Sequence, residues 1–132
     1  MREIKFRGKQ TKPIESIWQY GDLLHSKDNK TYIQNITCME VDESTLGQFT
    51  GLKDKNGVEI YEGDIVKIIV ELISREEIEK GTEEYIGTVT YDADDTRYKI
   101  ITSKDYEFTL SLEDDLEVIG NVWENGDLLE GE

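Results

Sequence analysis

The sequence predicts a mostly β protein. Three observations carry that reading: short runs of alternating apolar and polar residues, Gly/Asn/Asp turn signals between them, and almost no long helical pattern. The chain has 132 residues, one Pro and twelve aromatics (seven Tyr, three Phe, two Trp). That length suits one ordinary domain and buries roughly two-thirds of the unfolded surface, so a core forms without staples.

The elements follow in order. Ile4 and Phe6 alternate with Lys5 and Arg7, a strand with Ile4 and Phe6 facing in. Ile14 to Leu24 reads as two strands turning at Gly21-Asp22. Thr31 to Val41 is rich in β-branched residues and fits one or two strands. Asp42 to Thr45 fits a short helical turn, and Leu46 to Leu52 returns to strand composition. Asn56-Gly57 marks a type I′ hairpin leading into Val58–Tyr61, and Glu62-Gly63-Asp64 is a bend. Ile65 to Ile73 is the most apolar run and predicts the central strand. Ser74 to Glu84 carries a capping-box pair, Ser74 and Glu77, with Gly81 as a stop; a short helix and a disordered loop are both open. Tyr85–Tyr91, Arg97–Thr102, Tyr106–Leu112 and Leu116–Trp123 predict the remaining strands, and Glu124–Glu132 a frayed polar tail.

The fold class is therefore mostly β with at most one short helix. The Gly-Asp-Ile-Val-Lys strand start, long loop and Gly-Thr-Val-Thr-Tyr strand resemble a small SH3-like barrel. That organisation gives an N-terminal β-hairpin or meander module over 1–60, a barrel module over 61–125 and an acidic tail over 126–132, with one intertwined domain as the alternative.

Charge is uneven. The formal net charge is −15, from 30 acidic and 15 basic residues. The first twelve residues carry Arg2, Lys5, Arg7, Lys9 and Lys12 against Glu3 alone, a basic arm before an acidic C-terminal half. Such a surface repels a phosphate backbone and permits self-association of the basic arm with an acidic neighbour. If the arm bridges copies, salt or removal of residues 1–12 weakens the oligomer. One cysteine, Cys38, excludes an internal disulfide and multi-Cys zinc sites; one histidine, His25, excludes multi-His chemistry. There is no signal-like start and no long apolar run, so the expectation is a soluble cytoplasmic protein without membrane contact.

Three segments in order go beyond barrel pattern: Arg2-Glu3-Ile4-Lys5-Phe6-Arg7, the run QFTGLKDKNGVEIYEGDIVKI over 48–68, and LEVIGNVWEN over 116–125. With them the chain resembles the YopX family across residues 1–129. The tail departs from the pattern, with Asn125-Gly126-Asp127-Leu128-Leu129 where relatives often have Asn-Pro-Glu-Leu-Leu. The resemblance implies a phage or prophage protein of Gram-positive bacteria, acting in the host cytoplasm, mostly β and oligomeric. It implies no activity, catalytic residue or cofactor.

Site residues are weighed against structural roles. Lys53, Asp54 and Lys55 lie in a loop that either displays them for recognition or simply turns the hairpin. Asp64 reads as an acceptor of backbone N–H groups at its bend. Asp92, Asp94 and Asp95 resemble a calcium loop, but Thr96, Arg97 and Ser103 stand where it needs Asp/Asn, Gly and Glu. Glu113, Asp114, Asp115 and Glu117 read as a solvated turn. Cys38 reads as small and semi-buried, and no third group orients it with His25. Trp18, Tyr20, Tyr32, Tyr91, Tyr98, Tyr106 and Trp123 read as core and subunit contacts rather than base-stacking platforms.

The expectation is a non-catalytic protein working by protein–protein contact and self-associating, with no metal or cofactor. Its partners are its own copies and an unidentified phage or host protein. The interaction residues are Arg2, Lys5, Arg7, Lys9, Lys53 and Lys55. The alternatives are an acidic DNA mimic or inhibitor of a host nucleic-acid enzyme, and a nucleic-acid-binding small barrel.

Overall fold

The computed structural model describes residues 4–11, 17–73, 80–102, 106–110 and 115–129, without the side chains of 71–73 and 80. Arg2, Lys12, the Ser74–Glu77 capping pair, Glu113 and Asp114 lie outside these residues. The described chain is mostly β: β1 (Phe6–Gln10), β2 (Trp18–His25), β3 (Thr31–Gln34), β4 (Cys38–Lys53), β5 (Glu59–Tyr61), β6 (Asp64–Ile73), β7 (Lys80–Asp92), β8 (Arg97–Thr102), β9 (Glu107–Thr109) and β10 (Asp115–Asn121), then a 3-10 turn at Gly126–Leu129. The strands form two sheets, ordered β1-β2-β3-β4-β5 and β10-β6-β7-β8-β9. Two compact units divide the chain, 1–51 and 52–132.

In the first unit β1 pairs with both β2 and β4, so four antiparallel strands close into a ring. Ring closure removes open edges from a very short sheet. Ile33 (0% exposed) and Val41 (3%) are buried together with Gln10 and Thr31, which Val41 opposes, and Phe49 (4%) is buried on the other face, beside Lys5. A Cβ on Gly8 would lie 2.8 Å from the Val41 side chain, so only glycine lets β1 approach β4 this closely.

Three local expectations change here. Gly21-Asp22 is not a turn: β2 runs through it, because Gly21 sits against the Gln34 carbonyl, 2.3 Å from where a Cβ would stand. The chain reverses instead at Ser26–Lys30, where Asn29 takes a positive φ of 65°. Asp42–Thr45 is not helical but a bulge in β4: Arg7 faces Gly47 and Lys9 faces Asp42, so the ladder skips residues 43–46. The bulge is tied internally and to β1, with Thr45 Oγ1 donating to the Asp42 carbonyl at 2.6 Å and accepting from Lys9 N–H at 2.8 Å.

The second unit has an apolar core of Ile60, Val66, Ile68, Val89, Tyr98, Ile100, Leu110 and Leu116. The apolar β6 is an interior strand between β10 and β7, but β7 rather than β6 is the middle strand of the sheet. β6 and β7 pair continuously from Ile65 opposite Thr88 to Ile73 opposite Lys80. Residues 80–84 are therefore strand, with Gly81 opposite Leu72 rather than ending a helix. The tail is not frayed at its start: Asn125 Oδ1 accepts from Asn121 N–H at 3.1 Å, and Leu128 N–H donates to the Asn125 carbonyl at 2.9 Å.

The unit boundary sharpens the charge asymmetry. Residues 1–51 hold seven Lys/Arg and seven Asp/Glu, net 0; residues 52–132 hold eight and 23, net −15.

Candidate interaction face

The site is built on one face of the first unit. Arg7 and Lys9 within β1, and Lys5 just before it, alternate in parity with Gly8 and Gln10, as the sequence period requires. Arg7 stands opposite Tyr20 and Lys9 opposite Trp18, and opposed antiparallel residues share a face. Arg7 Cζ lies 4.7 Å from the Trp18 ring centroid and Lys9 Nζ 5.8 Å from it; Lys5 Nζ lies 5.3 Å from the Phe49 ring. These are cation–π distances.

Burial differs from expectation. Arg7 is only 6% exposed, stacked on Trp18, whereas Ile4, just before β1, is 67% exposed. The basic stretch is not a free arm, since residues 6–10 are an interior strand with neighbours on both sides.

The same face continues over β2 and β3. Asp22 opposes Gln34 and Leu24 opposes Tyr32, extending the stripe begun by Trp18 and Tyr20. Tyr20 is 42% exposed and Leu24 41%, and Ile36, at the turn joining β3 to β4, is 101% exposed. That turn is held by Asn35, whose Oδ1 accepts from Thr37 N–H at 3.0 Å and whose Nδ2 donates to the Tyr20 carbonyl at 2.9 Å. Sequence reasoning singled out Tyr20 and Tyr32 but missed Leu24 and Ile36. Their signal is an aliphatic residue two positions beyond a polar one in each flank of a hairpin.

The other singled-out residues have structural roles. Lys55 sits 3.6 Å from Asp115 and donates its N–H to the Leu116 carbonyl at 3.1 Å; Lys53 is exposed at the end of β4. Asp54 between them, a candidate for display by the loop, is instead its buried hub. Its Oδ1 accepts from Asn56 N–H (2.8 Å) and Val58 N–H (2.9 Å), and its Oδ2 from Val118 N–H (2.9 Å). Burial alone would raise its pKa, but the Val118, Val58 and Asn56 N–H groups and the Lys55 charge together hold it below its ordinary value. The Asp54–Val58 loop has a positive φ only at Gly57 (82°), so it is not the expected type I′ turn; the carboxylate organises it instead. Asp64 accepts from Tyr61 N–H at 2.8 Å, the role expected at its bend.

At the β7–β8 turn, Lys99 Nζ lies 2.8 Å from both Asp92 and Asp95, and Asp92 Oδ1 accepts from Asp94 N–H at 2.9 Å. An ammonium occupies the place a calcium reading reserved for a cation. Side-chain bonds from Asp92 and Asp95 raise the Lys99 pKa, and the Lys99 bond, foremost, lowers that of Asp92. Among the described residues no three His, Cys, Asp or Glu converge as a metal would need. Tyr85 packs against Tyr106 (5.5 Å) and Phe108 (5.3 Å), and Tyr91 against Tyr98 (5.1 Å). Cys38 is exposed, not semi-buried. It opposes Gln34 while His25 opposes Thr31, so the two sit on different strands and three positions out of register along β3. That offset, roughly 10 Å along the strand, is beyond hydrogen-bond reach.

These features define an all-β protein of two small modules, one neutral with an aromatic–cationic face and one strongly acidic. The YopX protein family model matches residues 5–130, and the chain belongs to that family. No curated protein matches the chain. It is similar to protein EF1440 from Enterococcus faecalis, known from a crystal structure, at 25% identity over 98% of this chain and 99% of that one, with a TM-score of 0.49. No helix among the described residues is long and apolar enough to cross a membrane.

Proposed function

We propose that this protein is non-catalytic and works by protein–protein contact, associating with itself through its first unit. One observation carries the reading: a chain of net −15 places all of that excess in residues 52–132 and leaves residues 1–51 neutral. Two copies meeting through their second units bring like charges together, which costs several kcal/mol at close range. Meeting through the first units avoids that cost and covers Tyr20, Leu24 and Ile36. Phage or prophage origin and action in the host cytoplasm fit the family resemblance. Analytical ultracentrifugation of the full chain tests the reading: a concentration-dependent oligomer is expected, and a monomer at all concentrations contradicts it.

The concentration of charge favours a second reading. An acidic module joined in one chain to a neutral self-associating one suits a DNA mimic that occupies a basic channel of a host enzyme. A pull-down from host lysate after nuclease treatment tests it. Retention of a nucleic-acid enzyme that salt releases is expected, and its absence contradicts this reading alone.

A further inference from the structure

We infer that two copies pair across a twofold axis lying between β2 and β3 of the first unit, parallel to those strands. The inference rests on the self-association reading and adds the surface, the symmetry and the contacts. Homodimers mostly use isologous interfaces, so the patch must be complementary to itself.

The register supplies that complementarity. Along the face, Asp22 stands opposite Gln34 and Leu24 opposite Tyr32, with Tyr20 near the Asn35–Thr37 turn that carries Ile36. A twofold axis parallel to the strands sets β2 of one copy over β3 of the other at the same height. Leu24 then meets Tyr32 of the second copy, Tyr20 meets its Ile36 turn, and Asp22 meets its Gln34. Apolar groups cover apolar groups, and the central carboxylate finds an amide donor rather than another carboxylate. An axis perpendicular to the strands instead brings Asp22 onto Asp22 and leaves two carboxylates facing each other. Charge therefore selects the parallel axis.

The composition agrees. Tyr and Trp with a flanking Arg are the residues enriched in interface centres. Trp18, Tyr20 and Tyr32 lie on this face, with Arg7 and Lys9 stacked at its margin. Ile36 is 101% exposed at the apex of a turn that Asn35 braces, a rigid apolar tip that gains by being covered.

The experiment is sedimentation of the full chain beside three variants: Leu24→Glu, Ile36→Asp and, as a control in the second unit, Ile101→Glu. All three positions are exposed, at 41%, 101% and 37%, so the fold persists, and circular dichroism checks it. The expected result is a dimer for the parent and Ile101→Glu, with dimer affinity at least about tenfold weaker in Leu24→Glu and Ile36→Asp. An oligomer unchanged in those two variants, or one broken by Ile101→Glu instead, overturns this interface while leaving self-association standing. A parent that stays monomeric overturns both.

Discussion

The two units solve the problem of a small β fold in different ways. The second buries eight apolar residues in one cluster. The first buries Ile33, Val41 and Phe49 beside Arg7, Gln10, Thr31 and Thr45, and leaves Tyr20, Leu24 and Ile36 exposed. Both units bury polar groups (Asp54, Asp64 and Thr102 in the second) and both expose apolar ones (Val58, Tyr91, Ile101 and Tyr106 in the second); the sharper difference is charge, net 0 in the first and −15 in the second. Under the proposed reading, the neutral first unit is the one suited to contact because it escapes like-charge repulsion, and the larger apolar cluster of the second carries more of the stability.

The comparison can be broken by mutation, and the largest effect belongs to the second core. Ile100 is fully buried, so Ile100→Ala should cost about 2–5 kcal/mol in chemical denaturation. Next comes Asp54, where Asp54→Ala leaves the N–H groups of Asn56, Val58 and Val118 without their carboxylate and should cost about 1–3 kcal/mol. Asp54 also gives a pH signature. Its folded pKa lies below the ordinary 3.8, so its contribution is complete above that value and is lost as pH falls through the lowered one. The acid limb of the stability curve should be shallower in Asp54→Ala, and an unchanged limb would argue against the hub.

In the first unit, Arg7→Met keeps the stem and removes the cation from Trp18; a loss of about 0.5–2 kcal/mol is expected, followed by Trp18 fluorescence. The smallest effect is Lys99→Ala at the β7–β8 turn. Its ion pairs are solvent-screened, so thermal stability should fall slightly at low salt and not at high salt.

Much of the second unit was legible in the sequence. The Ile65–Ile73 run is β6, and Tyr85–Tyr91 and Arg97–Thr102 fall within β7 and β8. These strands announce themselves because their apolar residues repeat with the sheet period over a real core. The first unit was less legible. Gly21 looks like a turn residue but is needed for a close approach to Gln34, which no local pattern reveals. Asp42–Thr45 has helical-turn composition because a bulge uses the same side-chain-to-backbone bonds. Lys5 and Arg7 do share a face, but Ile4 is exposed and Arg7 buried, because the burial of Arg7 depends on Trp18, eleven positions away. The hub role of Asp54 is hidden for the same reason: its partner Val118 lies 64 residues along the chain. The contact face needed Leu24 and Ile36, whose exposure only tertiary placement shows.

Salt dependence of self-association tests the central claim most directly. An apolar contact between neutral units of chains that each carry −15 is opposed only by general repulsion, which salt screens. Sedimentation between about 0.05 and 0.5 M salt should show the dimer tightening as salt rises. A dimer that dissociates as salt rises would mean that opposite charges hold the copies together, and would contradict the account.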